Sequence, residues 1–127
     1  MRTILAAAAV LASLGTSAQA VTLGSAPAYG GPTQSVVVCY YSNIGSLAVT
    51  FSSSVVLVEP GVPVAEASEF CGGNIPGGGR CRTVSISGIN TGGAHWCTAV
   101  VSSKATLRGR MEIRNSSGTV LSTQNIQ

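Results

Sequence analysis

The sequence predicts an all-β protein, folded as a β-sandwich of seven or eight short strands with two disulfides. Valine, serine, threonine and glycine are abundant and charged residues make up only 9% of the chain, a composition typical of strands joined by tight turns. Apolar stretches recur at intervals of about 8–12 residues with turn residues between them, which is the spacing of a sandwich. The third observation is four cysteines in a chain that carries an export signal.

The first 20 residues are typical of a secretory signal peptide. A basic lead, Met1–Thr3, precedes the apolar run Ile4–Leu14, and Ala18-Gln19-Ala20 supplies an Ala-x-Ala cleavage site before Val21. The run is too short for a permanent transmembrane anchor, and its alanine-rich core is typical of bacterial signals. We therefore expect a bacterial protein that is secreted or periplasmic. Residues 21–34, rich in Gly, Ala and Pro, predict a flexible lead-in, and residues 35–127 predict a single sandwich domain.

The first half of the domain predicts three strands and one ambiguous segment. A run of valines ending in two tyrosines predicts a strand at Ser35–Tyr41, and turn residues follow it. Apolar and small residues alternate in Leu47–Ser53, with Leu47 on the apolar face, which is the period of a half-buried strand. Val55–Glu59 predicts a further strand that ends at a Pro-Gly turn. Val64–Phe70 is either a short strand or one helical turn.

The second half predicts four more strands. Arg82–Ile89 alternates Val and Ile with Thr and Ser, and His95–Ser102 follows a turn that contains two glycines. Lys104–Arg114 is the longest predicted strand, with a bulge possible at Gly109. The turn residues after it fold the chain into a hairpin with Thr119–Thr123.

The four cysteines, Cys39, Cys71, Cys81 and Cys97, allow three disulfide pairings, of which we favour Cys39–Cys97 with Cys71–Cys81. The loop between Cys71 and Cys81 reads CGGNIPGGGRC, and closing so flexible a loop removes about 2–3 kcal/mol of unfolded-chain entropy. Cys39–Cys97 would join an early strand to a late one across the core, as the inter-sheet disulfide of an immunoglobulin-like sandwich does. The spacings match neither a Cys-x-x-Cys redox pair nor a common zinc site.

Three segments resemble bacterial immunoglobulin-like modules of the abnormal-spindle/Hydin-like class. Val36–Phe51 has their pattern of a strand that ends in Asn-x-Gly and re-enters as a strand. Cys71–Val84 is similar to their Cys-…-Pro-Gly-x-x-Cys-x-Val signature, and Ala105–Gly118 resembles their late hairpin. The resemblance covers Ser35–Thr123 and implies an immunoglobulin-like β-sandwich. It implies no catalytic residues, and a fold of this kind does not specify a function.

Catalytic candidates are few, so we expect no enzymatic activity, cofactor or metal. His95 is the only histidine and the chain contains no Asp, which excludes a Ser-His-Asp triad. Glu66 and Glu69 are a conceivable glycosidase pair, but one Trp, three Tyr and two Phe supply little material for a sugar cleft. The glycine-rich loop lacks the Gly-Lys-Ser/Thr ending of a phosphate-binding P-loop. A small secreted hydrolase is therefore the least favoured alternative.

The strongest binding candidate is a strip of basic residues on the predicted Lys104–Arg114 strand. Four basic residues and Glu112 share one parity of the strand and would lie on one face: Lys104, Arg108, Arg110 and Arg114. Guanidinium groups suit an anionic partner such as lipopolysaccharide, an acidic glycan or an acidic face of an envelope protein. The alternative is a solvated face whose charges prevent edge-to-edge aggregation, and the sequence favours this alternative because such charges are common on strands.

The function expected from these observations is a non-catalytic binding or structural module of the cell envelope or extracellular space. Without Arg2 the net charge falls from +3 to +2, which is too small to predict nucleic-acid binding. The main alternative is a secreted protease inhibitor that presents Arg80 in the Cys71–Cys81 loop. Three consecutive glycines before Arg80 weaken that alternative, since tight inhibitors gain affinity from preorganised loops.

Overall fold

The computed structural model describes residues 19–64, 66–69 and 71–127, with only the backbone described at 66–69. The predicted signal peptide therefore lies outside the described residues, apart from its last two. In the described ranges the chain is all β, without helix, and its strands form two antiparallel five-stranded sheets. The strands are β1 (Val21–Gly24), β2 (Gln34–Asn43), β3 (Val49–Val58), β4 (Val62–Pro63), β5 (Glu66–Glu69), β6 (Gly73–Ile75), β7 (Arg80–Ser87), β8 (His95–Val101), β9 (Leu107–Asn115) and β10 (Val120–Ile126).

The two sheets are the layers of a β-sandwich, as predicted. The first has the order β1-β8-β3-β4, with β6 also paired to β3, and the second has the order β10-β9-β2-β7-β5. Ten described strands exceed the seven or eight predicted, because β1, β4 and β6 are too short to show an alternating pattern in the sequence. The ambiguous segment at 64–70 contains a strand, β5.

The core lies between the sheets and is built from alternate residues of the central strands. β2 turns Val37, Cys39 and Tyr41 inward, each at most 1% exposed. The Tyr41 ring meets the Phe51 ring of the other sheet edge-on, with centroids 5.1 Å apart. Cys39 is bonded to Cys97 on β8, which joins the sheets as predicted. The second predicted disulfide, Cys71–Cys81, is also present.

The structure differs from the predicted lead-in, because Val21–Gly24 forms an edge strand paired with β8. Gly24 also exchanges two backbone hydrogen bonds with Gln127 at 3.0 and 3.1 Å, which tie the edge of one sheet to the edge of the other. Backbone pairing therefore orders a segment whose Gly, Ala and Pro content predicted flexibility. The sandwich starts well before residue 35.

Two predicted strands, Leu47–Ser53 and Val55–Glu59, form the single strand β3, which has a register shift between Phe51 and Ser53. The prediction that Leu47 faces the core is wrong. Leu47 precedes the strand, in the turn that follows β2, and its side chain is 80% exposed. The alternation of apolar and small residues extends back to Leu47, whereas the backbone pairing of β3 begins only at Val49. The pattern therefore predicted a strand residue where the chain forms a turn.

Candidate functional site

β9 carries its basic residues on the outward face, as the predicted alternation requires. Arg108 and Arg110 are exposed, whereas Met111 and Ile113 are 0% exposed and face the core. Gly109 causes no register shift, since β9 stays paired with β2 from Leu107 up to Arg114 without interruption. The parity of the strand is therefore preserved along its basic residues.

The prediction that Lys104 lies on the same strand face as the arginines is wrong. β9 begins at Leu107, and a turn closed by the Leu107 N–H donating to the Lys104 carbonyl at 3.2 Å precedes it. Lys104 is exposed in this turn and does not lie on the face of the sheet. The strand starts later than predicted because the Ser-Ser-Lys-Ala-Thr stretch turns the chain between the two sheets.

The predicted basic strip did not include Arg80 and Arg82, which lie on β7. β2 separates β7 from β9 and pairs with both, so Ser42 lies opposite Arg80 and Arg108, and Tyr40 lies opposite Arg82 and Arg110. Every arginine after Arg2 is thereby placed on one face of one sheet. We call this set the arginine face: Arg80, Arg82, Arg108, Arg110 and Arg114.

Tyr40 is at the centre of the arginine face. The Cζ atoms of Arg110 and Arg114 lie 5.8 and 5.9 Å from the centroid of its ring, within the range of a cation–π contact. Arg114 Nη2 also donates a hydrogen bond to the Tyr40 hydroxyl at 3.0 Å. Both guanidinium groups are therefore held in place rather than left to sample solvent.

Glu112 is the only carboxylate on the outward face of β9. Its side chain is buried and forms ion pairs with Arg110, at 2.6 Å, and with Arg114. The hydrogen bond from Arg114 to Glu112 raises the pKa of the Arg114 guanidinium. Arg80 and Arg108, by contrast, have no carboxylate partner among the described side chains. Arg108 Nη1 donates to the Leu107 carbonyl at 2.8 Å, which orients it along the face.

A shallow depression of about 350 Å³ lies at the end of the arginine face that carries Arg80 and Arg108. Three arginines contribute to its lining, and the lining residues are Tyr40, Ser42, Arg80, Arg108, Gly109 and Arg110. Several N–H donors converging on one open space suit carboxylate, sulfate or phosphate groups. The chemistry available here is anion binding.

The glycine-rich loop is held by backbone hydrogen bonds rather than left flexible. Arg80 lies in β7, paired with Ser42, so its backbone is engaged in the sheet. Asn43 accepts from the Gly78 N–H at 2.8 Å and donates to the Gly79 carbonyl at 2.9 Å, which ties down the glycines before it. This arrangement gives the loop order, and the protease-inhibitor alternative stays a prediction.

The remaining candidates for catalysis were His95, Glu66 and Glu69. His95 is 0% exposed, its Nε2 accepts from the Asn90 N–H at 3.2 Å, and burial lowers its pKa. The backbones of Glu66 and Glu69 are in β5, and their side chains are outside the description. Within the described ranges no cluster of His, Cys, Asp or Glu side chains could hold a metal ion. No helix in those ranges is long and apolar enough to span a bilayer.

The chain was compared with protein-family models, curated proteins and solved structures, and no match was found. The immunoglobulin-like class suggested by the sequence motifs therefore stays a prediction. The β-sandwich itself rests on the two sheets described above.

Proposed function

We propose that this protein is an exported, non-catalytic binding module that recognises an anionic partner through its arginine face. The observation that carries the proposal is the convergence on one face of the five arginines that follow Arg2, with Arg80 and Arg108 free of carboxylate partners among the described side chains. Arginine forms two parallel hydrogen bonds with carboxylate, sulfate or phosphate groups, and five such side chains favour a partner with repeated negative charges.

The position of the arginines in the sheet supports binding over protection against aggregation. Charges that prevent edge-to-edge pairing belong on edge strands. Arg110 and Arg114 lie on the stretch of β9 that is paired on both sides, with β2 and with β10, while the edge strands β5 and β10 contain no basic residue. These two arginines therefore do not protect an edge, and a function for them on the face is the better explanation.

The environment of the protein agrees with a partner outside the cytoplasm. Both disulfides, with no free cysteine remaining, indicate an oxidising, extracytoplasmic environment. Anionic polymers and headgroups are accessible there, and the predicted signal peptide is consistent with export. Nucleic acid is not part of the proposal.

The experiment measures binding of residues 21–127 to immobilised dextran sulfate over a salt series. We expect affinity that falls steadily with salt, as binding to a polyanion releases counterions. The triple variant Arg80→Ala/Arg108→Ala/Arg110→Ala should bind about 100-fold more weakly, because each of the three contacts contributes on the order of 1 kcal/mol. Lys104→Ala, an exposed cation off the face, is the matched control and should change binding little. An equal loss in the control, or none in the triple variant, would refute the proposal.

A second variant set separates specific geometry from simple charge. Replacing the same three arginines with lysine keeps the charge and removes the planar fork. Affinity between that of the native protein and that of the alanine variant is the expected result. Full retention by the lysine variant would leave only nonspecific attraction, and the assignment of a built anion site would be wrong.

A further inference from the structure

The turn after β2 exposes two large aliphatic side chains at one end of the sandwich. Ile44 is 62% exposed and Leu47 is 80% exposed, the highest value among the large hydrophobic residues described. Single exposed aliphatics are ordinary on a protein surface. Two of them within residues 44–48, in one turn at the end of the sandwich, form an apolar tip. We use that name for Ile44 and Leu47.

The backbone of the apolar tip is held rigidly, so its side chains are presented rather than free to fold back. Asn43 donates to the Leu47 carbonyl at 2.7 Å and accepts from the Gly45 N–H at 3.1 Å. The Ile44 N–H donates to the Thr106 carbonyl at 2.9 Å. Gly77 packs against the other side, where an added Cβ would lie 2.6 Å from the carbonyl oxygens of Gly45 and Ser46. A preorganised surface loses little conformational entropy when it docks.

Exposed cations lie on the segments next to the apolar tip. Ser42, two residues before Ile44, is paired with both Arg80 and Arg108, which form the nearest end of the arginine face. Lys104 lies in the turn whose Thr106 carbonyl binds the Ile44 N–H. Residues 42–48, 76–82 and 102–108, which build this end, contain no acidic residue. The tip and its cations therefore combine apolar surface with unopposed positive charge.

We infer that this end of the sandwich docks on an anionic lipid surface, with the apolar tip inserted among the lipids and Arg80 and Arg108 on the headgroups. The inference rests on the proposed function and names its partner. A soluble acidic polymer or protein would use the arginines and leave the aliphatic side chains in water. A lipid surface places negative charge directly beside an apolar layer, which matches the order of charge and aliphatic groups here.

The test measures sedimentation of the protein with vesicles of equal parts phosphatidylglycerol and phosphatidylcholine, beside vesicles of phosphatidylcholine alone. We expect binding to the anionic vesicles and at least about tenfold less to the neutral ones. Ile44→Ser/Leu47→Ser should lower anionic-vesicle binding at least about tenfold, since it removes the inserted apolar area. Val62→Ser is the matched control, because Val62 is 55% exposed and pairs with Val58 at the opposite end of β3.

A direct measurement of insertion uses Leu47→Trp. The native Trp96 is paired with Leu57, far from the tip along β3, and serves as an internal reference. We expect the fluorescence of the new tryptophan to shift to shorter wavelength on anionic vesicles and to be quenched by lipids brominated on their acyl chains. Emission that stays unchanged while the protein binds the vesicles would overturn the insertion.

The outcomes separate the inference from the proposed function. Ile44→Ser/Leu47→Ser should bind dextran sulfate as the native protein does, while the triple arginine variant should lose both ligands. Native-like vesicle binding by the serine variant, or binding to dextran sulfate with none to anionic vesicles, overturns the lipid inference alone and leaves a soluble polyanion as the partner. Loss of neither ligand in the arginine variant overturns the proposed function. Circular dichroism of each variant confirms that it is folded before binding is compared.

Discussion

Arg114 binds one carboxylate oxygen of Glu112, two residues before it on β9, through two nitrogen atoms. Its Nε donates to Glu112 Oε2 at 2.9 Å, and its Nη2 contacts the same oxygen. The other oxygen of Glu112, Oε1, forms an ion pair with Arg110 Nη2 at 2.6 Å. One buried carboxylate thus organises two of the five guanidinium groups on the arginine face and partly neutralises them. The opposite end of the face has no such counterion among the described residues.

Glu112→Gln should therefore change stability and binding in opposite directions. The amide keeps the shape but loses the charge, so the free energy of unfolding should fall by about 1–3 kcal/mol. Arg110 and Arg114 lose their internal anion, and affinity for dextran sulfate at low salt should rise about 2- to 10-fold. Urea unfolding measures the change in stability, and binding to immobilised dextran sulfate measures the change in affinity.

The control for Glu112→Gln is Glu59→Gln, which makes the same change of net charge at an exposed position at the far end of β3. It should leave both stability and affinity nearly unchanged. If both substitutions raised affinity equally, net charge alone would explain the result and the local role of Glu112 would be wrong.

Asn43→Ala should destabilise the end of the sandwich that carries the apolar tip. The buried Asn43 amide donates to the carbonyls of Leu47, Ile75 and Pro76, at 2.7, 3.1 and 3.2 Å. Its oxygen accepts from Gly45 N and from the Thr106 hydroxyl, at 3.1 and 2.8 Å. Removing one side chain leaves several buried polar groups unpaired, so unfolding in urea should show a loss of about 2–4 kcal/mol.

Asn43→Asp is the comparison for this prediction. It keeps the accepting oxygen and removes the amide donor, so its loss should come largely from the unpaired carbonyls and from burying a charge. A stability equal to that of the native protein in either variant would show that Asn43 does not hold together the segments that contain Leu47, Pro76 and Thr106.

The two disulfides should contribute unequally to stability. Cys39–Cys97 closes a loop with a sequence separation of 58, and Cys71–Cys81 closes one with a separation of 10. The chain-entropy model gives about 4 kcal/mol for the first and about 3 kcal/mol for the second. We expect paired Cys→Ala substitutions to lower the urea midpoint more for Cys39/Cys97. The reverse order would mean that the Cys71–Cys81 loop gains most of its stability from folded-state contacts.

His95 should make the protein less stable as the pH falls. Burial lowers its pKa from the ordinary 6.5, and a hydrogen bond with the Gly93 backbone acts in the opposite sense. The unfolded chain therefore binds the proton first, so stability is complete above about pH 6.5 and is lost as the pH falls towards the folded-state pKa. Urea midpoints between about pH 7 and pH 5, above the range of the glutamates, should decline in the native protein. His95→Gln should be less stable at pH 7 and should show a flatter profile.

Several features of the fold were predictable because they follow from local pattern or chain chemistry. The alternation of Arg108 and Arg110 with buried Met111 follows from the period of two in a strand. Both disulfides follow from a glycine-rich loop bounded by cysteines and from the position of Cys39 and Cys97 in an early and a late strand. Leu47 shows the limit, because the same pattern continued past the point where backbone pairing stops.

The sequence by itself determined the all-β class and which side chains of β9 share a face, since both depend on neighbouring residues. It favoured the disulfide pairing that the structure contains, among three that four cysteines allow. Only the tertiary structure decided that Arg80 and Arg82 join Arg108 and Arg110. That juxtaposition requires β2 to lie between β7 and β9 in a particular register. Strand order and register are set by long-range packing of whole faces, and a shift of one residue would turn every arginine of a strand towards the core.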